Sequence, residues 1–181
     1  MTLLIKIPMV VDSYPGLNET CLKSDDKTVL RKIIQKTEEY NKENKKGIKI
    51  FITGSSLANS YYHDIDLVVI SKSHEPKNLA LLVGKWVEGV VFPEEPYPAI
   101  REDEAYHGPH PQNCYRISVS RHNIIENAGY SQFDHKNRIK ADVRTPDFDI
   151  TAGKTLDDAL ADHNRKYVKI THKRIFDFSL K

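Results

Sequence analysis

The stretch FITGSSLANSYYHDIDLVVI, residues 51–70, decides the fold. It begins with the end of IKIFIT (48–53), an apolar and β-branched run that is typical of a buried strand. It ends inside a second run of the same kind, HDIDLVVISK (63–72). The connecting segment GSSLANSYY (54–62) is rich in turn residues. The stretch therefore predicts two strands of a sheet that are joined by a Gly-Ser turn.

The second run carries two aspartates, Asp64 and Asp66, two positions apart. Side chains at this spacing point to the same face of a strand, so the two carboxylates lie together. Ile65, Leu67 and Val69 then point to the opposite face, into the core. Neighbouring carboxylates repel each other, and a divalent cation relieves that repulsion. Because oxygen ligands suit Mg²⁺ or Mn²⁺, the strand predicts a metal site.

The Gly-Ser turn supplies groups that suit a phosphate. Gly54 permits a sharp bend and a close approach of the backbone to a ligand. A short helix that begins at Ser56 or Leu57 would offer free N–H groups, and the serine hydroxyls add further donors. A phosphate-binding turn beside a metal-binding acid pair is the arrangement that phosphoryl or nucleotidyl transfer needs.

This pattern resembles the nucleotidyltransferase superfamily, the DNA polymerase beta-like group. The signature is a hydrophobic strand that ends in Gly-Ser, followed by a spacer and by Asp-hydrophobic-Asp, here Gly54, Ser55, Asp64 and Asp66. The resemblance implies that a nucleoside monophosphate is transferred from a nucleoside triphosphate. It also implies that Mg²⁺ or Mn²⁺ is held by Asp64, Asp66 and a third carboxylate. Gly54, Ser55 and Ser56 would hold the β and γ phosphates.

The third carboxylate that the resemblance implies comes from a later strand. We predict Asp142, because alternation in RIKADVR (138–144) places it on the polar face of a strand. Glu88, Asp147 and Asp149 are the competing acids. If none of them completes the site, the protein binds a nucleotide without turning it over.

Two further groups near the signature need an assignment. The spacer lacks the arginine that the family often carries after Gly-Ser, so Lys72 or Arg116 is predicted to supply that triphosphate contact. His63 directly precedes the acid pair, and strand alternation predicts that it points away from the carboxylates.

The remaining pattern predicts an α/β (α+β) fold. We expect a small mixed sheet with helices mainly on one face and an open cleft on the other, floored by Asp64 and Asp66. The chain is expected to form one domain over 1–181 with a core at about 24–150. Further predicted elements are strands at 3–11, 115–121 and 138–144, a turn at Pro15-Gly16, helices from Ser24 to Gly47 and from Pro76, a strand or helix end at 87–92, an irregular loop at 93–113 and a C-terminal helix at about 155–176.

Composition limits the type of protein and the cellular location in which this chemistry is expected. The 181 residues carry 27 Lys and Arg against 25 Asp and Glu, a balance that neither requires nor excludes nucleic acid. No apolar run approaches the roughly 20 residues that span a bilayer, and the first residues are not expected to form a secretion signal. The two cysteines cannot form a disulfide framework, so a reducing cytoplasm is the expected location.

The acceptor of the transferred group stays open between a hydroxyl of RNA, of a small molecule and of a protein. The loop 93–113 and the basic segment 163–181 are the candidate acceptor contacts, and the oligomeric state is not predicted. One alternative is an inactive nucleotidyltransferase-like binding module, either antitoxin-like or a nucleic-acid adaptor. Another, a metal-dependent glycosyltransferase that uses Asp-x-Asp, leaves the Gly-Ser turn unexplained.

Overall fold

A six-stranded mixed sheet forms the centre of the computed structural model, which describes residues 14–57, 59–102, 113–129 and 146–160 and the backbone of 167–169. In chain order the strands are β1 (Lys49–Thr53), β2 (Asp64–Ile70), β3 (Ile100–Glu102), β4 (Cys114–Val119), β5 (Asp147–Gly153) and β6 (Tyr167–Lys169). Across the sheet their order is β3-β4-β5-β2-β1-β6. β2 and β5 pair in parallel, and the other neighbours in this order are antiparallel.

Helices flank this sheet. In the described residues they are α1 (Pro15–Asn18), α2 (Ser24–Asn44), α3 (Pro76–Val91), α4 (Arg121–Asn127) and α5 (Leu156–Leu160), with a 3₁₀ turn at Ser55–Leu57. The predicted helices from Ser24 and Pro76 are confirmed, and residues 87–91 belong to the second of them. Within the described residues, no helix is both long and apolar enough to cross a bilayer.

The main core lies between the sheet and the pair α2 and α3. Alternate residues of β1, β2 and β5 point to this side, where helix residues spaced three and four apart meet them. These core residues include Ile50, Ile52, Ile65, Leu67, Val69, Phe148 and Ile150 of the sheet, and Leu30, Ile33, Ile34, Leu79, Val83 and Val87 of the helices. The predicted mixed α/β architecture, with helices mainly on one face, is confirmed.

The opposite face of the sheet is only partly open. Phe51 and Val68, which alternate with the core residues of β1 and β2, pack there against Ala159 of α5. Ile70, Leu156 and Leu160 extend this small cluster. The predicted open cleft is therefore limited to the part of the face near the start of β2, because α5 covers the sheet beyond it.

Three of the predicted elements differ in the structure. The C-terminal helix at 155–176 is wrong, because α5 ends at Leu160 and Tyr167–Lys169 pairs with β1 as β6. Tyr and Val favour strands, and this pairing satisfies backbone groups along an edge of β1 that would otherwise be open. The predicted turn at Pro15-Gly16 is the start of α1, since proline suits a first helical turn. β3 lies within the predicted irregular loop. The predicted strands 3–11 and 138–144 lie outside the described residues.

Two glycines of α3 offer a matched test of this packing. A Cβ added at Gly84 would lie 2.5 Å from Ile117 Cδ1, a fully buried atom group of β4, whereas one added at Gly89 would meet nothing within 4 Å. Gly89→Ala should therefore raise the free energy of unfolding by about 0.5–1 kcal/mol, because alanine favours the helix. Gly84→Ala should lower it by about 1 kcal/mol, because overpacking outweighs that gain. Urea unfolding measures both, and equal stabilisation by the two variants would contradict the packing of α3 on β4.

Candidate metal and nucleotide site

Three half-buried carboxylates form the candidate site: Asp64, Asp66 and Asp149. One carboxylate oxygen from each residue lies within 4.8 Å of the other two. The cluster follows from strand pairing, because the parallel register of β2 and β5 sets Asp66 beside Asp149. Three like charges at this separation oppose one another, and their oxygen donors suit a hard divalent cation. The residues present therefore fit Mg²⁺ or Mn²⁺.

Asp149 belongs to a strand that the sequence analysis did not identify. Asp142, our prediction for the third acid, lies outside the described residues. Asp149, one of its competitors, lies in DFDITAG (147–153), where Phe148 and Ile150 are buried in the core. This run repeats the Asp-hydrophobic-Asp-hydrophobic order of DIDLVVI (64–70). That likeness is the signal in the sequence that could have located the third carboxylate.

Gly54 lies in direct contact with this acid cluster. Its φ of 79° is a left-handed conformation that favours glycine, and a Cβ added there would lie 1.9 Å from Asp66 Oδ2. The contact arises because Thr53, the last residue of β1, pairs with Asp66. Glycine is thus required both by the turn and by the carboxylate that rests against it. The predicted proximity of the Gly-Ser turn to the acid pair is what the structure shows.

The two serines after Gly54 occupy different positions. Ser55 is exposed and begins the 3₁₀ turn. Ser56 is buried, its hydroxyl donates to the Thr53 carbonyl at 3.4 Å, and its own carbonyl accepts from the Cys21 N–H at 2.9 Å. Ser56 therefore holds the turn in place, and Ser55 is the serine that faces solvent.

Arg116 reaches the site through the third carboxylate. Its Nη2 lies 2.5 Å from Asp149 Oδ2, and both side chains are 23% exposed. β4 positions this contact, because its register with β5 sets Ser118 opposite Asp149 and Arg116 opposite Thr151. The guanidinium keeps its charge at any working pH, so it offsets part of the repulsion within the cluster.

Lys72, the alternative triphosphate contact, is at the wrong end of the sheet. It follows β2, whereas Asp64 and Asp66 begin that strand. Ile70 lies four positions beyond Asp66 along the strand, a distance of roughly 13 Å. Lys72 instead lines a separate cavity with Lys49 and Lys154. Of the two predicted basic contacts, the structure brings Arg116 to the acid cluster and leaves Lys72 away from it.

Asp64, Asp149 and the neighbouring Asp147 form one side of a cleft of about 510 Å³. His63, predicted to point away, is exposed and lines this cleft, because it precedes β2 and strand alternation does not apply to it. Arg101, Arg116 and His122 add basic groups to the wall. Burial and the neighbouring Asp149 and Asp64 raise the pKa of Asp147 above its usual range. The cleft thus combines a strongly acidic floor with a basic wall.

Buried hydrogen bonds fix the β4–α4 wall of the cleft. The Ser120 hydroxyl accepts from the Asn123 N–H at 3.1 Å and caps α4. The Asn123 side-chain amide donates to the Ala99 carbonyl at 2.8 Å, which ties the wall to the segment before β3. Ser120 falls within the predicted strand 115–121, but in the structure it follows β4 and is buried as this cap.

The fold and the cluster define an α+β domain with an acidic site suited to a divalent cation beside a glycine turn. A family model described as a nucleotidyltransferase domain matches residues 31–140, more than half of the chain. The protein therefore belongs to the nucleotidyltransferase domain family. Searches of curated proteins and of solved structures gave no significant match. The matched residues include the Gly-Ser turn and β2, and Asp149 follows them in the sequence.

Alanine variants of Gly54 and Gly129 distinguish the effect of the contact with the acid cluster from the effect of backbone strain. Both have positive φ, 79° and 73°, but a Cβ at Gly129 would meet nothing within 4 Å. Gly54→Ala and Gly129→Ala should each lose about 1–2 kcal/mol of stability to left-handed strain. Gly54→Ala alone should weaken Mn²⁺ binding at least about tenfold, because the new methyl group displaces the Asp66 carboxylate. Calorimetric titration with Mn²⁺ checks this, and equal affinities in the two variants would contradict it.

Arg116 competes with a bound cation for Asp149. Arg116→Gln should therefore bind Mn²⁺ about three- to tenfold more tightly in the absence of nucleotide, because a neighbouring positive charge and a competing partner are removed. Arg101→Gln is the matched control, since Arg101 lines the same cleft but pairs with the exposed Glu126 at 2.8 Å. Titration of both variants at one ionic strength measures the effect. Weaker binding by the Arg116 variant, or the same gain in both, would count against the competition.

Proposed function

We propose that this protein is a metal-dependent nucleotidyltransferase that transfers a nucleoside monophosphate from a nucleoside triphosphate to an acceptor hydroxyl. The observation that supports this most strongly is the convergence of Asp64, Asp66 and Asp149 beside Gly54. Membership of the nucleotidyltransferase domain family supports the same reaction class. A complete set of three acids is also what turnover, rather than binding alone, requires.

Different residues of the protein would bind the phosphates and the metal of the substrate complex. Gly54 and Ser55 would orient the β and γ phosphates through the exposed backbone of the 3₁₀ turn and the Ser55 hydroxyl. Asp64, Asp66 and Asp149 would hold Mg²⁺ or Mn²⁺. When bound, the metal supplies charge neutralisation at the phosphates and lowers the pKa of the acceptor hydroxyl. Arg116 would keep the Asp149 carboxylate oriented through their 2.5 Å contact.

The transfer is a substitution at the α-phosphorus. The acceptor oxygen forms a bond to this phosphorus, the bond to the bridging oxygen breaks, and pyrophosphate leaves. The hydroxyl proton passes to a carboxylate of the cluster, and we assign this role to Asp149. Arg101 and His122 also line the cleft, and their basic wall would contact the parts of the nucleotide and acceptor that lie away from the metal.

The acceptor class stays open between RNA, a small molecule and a protein, and the proposed location is the cytoplasm. Neither Cys21 nor Cys114 is part of a disulfide in the described residues, which agrees with a reducing compartment. One observation favours the alternative of a non-catalytic nucleotide-binding module: Arg116 already engages one oxygen of Asp149. An assay that separates nucleotide binding from pyrophosphate release decides between the two.

The central prediction concerns the three acids. Asp64→Asn, Asp66→Asn and Asp149→Asn should each lower pyrophosphate release from NTP and Mg²⁺ at least about 100-fold, since even outer partners of metal ligands cost up to that much. Melting temperatures of Asp64→Asn and Asp66→Asn should stay level or rise, because one member of a repelling cluster becomes neutral. Asp157→Asn, an exposed change on α5, is the control. Pyrophosphate release is measured directly, and α-labelled nucleotides follow the transferred monophosphate onto acceptors supplied by a cell extract.

Two outcomes of this assay would change the assignment. If Asp142→Asn loses turnover and Asp149→Asn does not, the third carboxylate is Asp142. If the wild-type protein binds Mg²⁺ with nucleotide but releases no pyrophosphate, the binding module replaces the enzyme.

A further inference from the structure

A second cavity lies on the same face of the sheet, at the opposite end from the acid cluster. Its volume is about 440 Å³, and the small cluster beneath α5 separates it from the cleft. Four lysines line it, and we call it the lysine groove: Lys45, Lys49, Lys72 and Lys154. These residues have no role in the proposed transfer reaction.

Strand direction brings these lysines together. Lys49 begins β1 and pairs with Ile70, the last residue of β2, so the start of one strand meets the end of the other. Lys72 lies two residues after the end of β2, and Lys154 follows β5, whose last residue Gly153 is also aligned with Ile70. Lys45 ends α2 in a left-handed conformation with φ 51°. Each lysine thus stands where an element starts or stops at this one edge.

The groove has an excess of positive charge. Lys154 pairs with Glu75 at 3.0 Å, whereas Lys45, Lys49 and Lys72 form no ion pair with any residue that the structure describes. All three are exposed. Lysines gathered around one cavity repel one another, and a ligand with several negative charges removes that repulsion.

The remaining lining of the groove indicates which polyanion fits. Ile70 and Leu156 give it apolar surface. Ser71 is buried, and its hydroxyl is already engaged with Ser73 at 3.2 Å and His74 Nδ1 at 2.9 Å. Lysine ammonium groups act as point charges and make no planar fork that selects one anion shape. Such a surface suits a polymer in which phosphates alternate with apolar or aromatic groups. It offers no groups that would distinguish one base from another.

His74 supports this description of the charge. Its Nε2 lies 3.1 Å from the Tyr40 hydroxyl, so the ring is fixed behind the groove. Burial and the positive charge of Lys46 lower the pKa of His74. The lowered pKa disfavours a charge on the ring, so the positive potential of the groove comes mainly from the lysines.

We propose that the lysine groove binds the phosphate backbone of a single-stranded nucleic acid, independently of base sequence. A concave site of this volume admits a few nucleotides of one strand, with the phosphates on the lysines and the sugars or bases on Ile70 and Leu156. The proposal does not depend on nucleotidyl transfer, because the groove and the acid cluster are separate.

Fluorescence anisotropy with a labelled 20-nucleotide RNA, and with DNA of the same sequence, tests this binding. EDTA is present, so no metal bridges the strand to the acid cluster. The wild-type affinity should fall linearly with the logarithm of salt concentration. Lys49→Gln/Lys72→Gln should weaken binding at least about tenfold at low salt and reduce the slope by about 1.4, or about 0.7 for each lost phosphate contact. Binding of either strand supports the proposal, and the comparison identifies the preferred sugar.

A charge-matched variant excludes a simple effect of net charge. Lys32→Gln/Lys85→Gln removes two exposed lysines from α2 and α3 and leaves the groove intact. Its affinity and salt slope should stay close to those of the wild-type protein. Equal losses in the two double variants, or no salt-dependent binding of RNA or DNA by the wild type, would overturn the proposal. Binding of phosphatidylserine vesicles but of neither nucleic acid would also overturn it and assign the groove to a membrane surface.

Discussion

The in-register parallel pairing of β2 and β5 is the constraint on which the candidate site depends. Asp64 pairs with Asp147 and Asp66 with Asp149, so two Asp-hydrophobic-Asp segments lie side by side. The hydrophobic residue between each pair is fully buried, which holds both strands in this register. A slip of one residue would turn the acids into the core and the apolar side chains into the cleft. The favourable burial of Ile65 and Phe148 therefore maintains an unfavourable gathering of charge.

Gly54 and Arg116 accommodate the clustered carboxylates in different ways. Gly54 gives the Asp66 carboxylate room, because any side chain at this position would occupy the space of Oδ2. Arg116 gives Asp149 a fixed positive partner at 2.5 Å. Asp64 and Asp66 lie beside the exposed Ser55 turn, where a cation and a polyphosphate would bind under the proposed function. Part of the repulsion among the three carboxylates is thus offset within the protein, and the remainder would favour the binding of a cation.

Features set by neighbouring residues were predictable from the sequence, and features set by distant pairing were not. The shared face of Asp64 and Asp66 follows from alternation within one strand. Gly54 lies in the connection between that strand and the strand before it, so its proximity was also predictable. Asp149 joins them through a parallel pairing with a distant segment, which no local pattern specifies. The C-terminal prediction was wrong for the same reason. The apolar spacing there is consistent with a helix, but pairing with β1 decides that Tyr167–Lys169 is a strand.

Composition also conceals how the fold distributes charge. The net charge of +2 is almost neutral, yet two adjacent strands lead from an aspartate to a lysine, and a third begins with a lysine at that same end. β2 starts with Asp64 and is followed by Lys72, β5 starts with Asp147 and is followed by Lys154, and antiparallel β1 starts at the lysine end. α5 covers the apolar middle, so the two ends of this sheet face remain as separate sites of opposite charge. On electrostatic grounds, a polyanion would therefore be attracted to the lysine end of the face and repelled by the acid cluster as long as no cation is bound there.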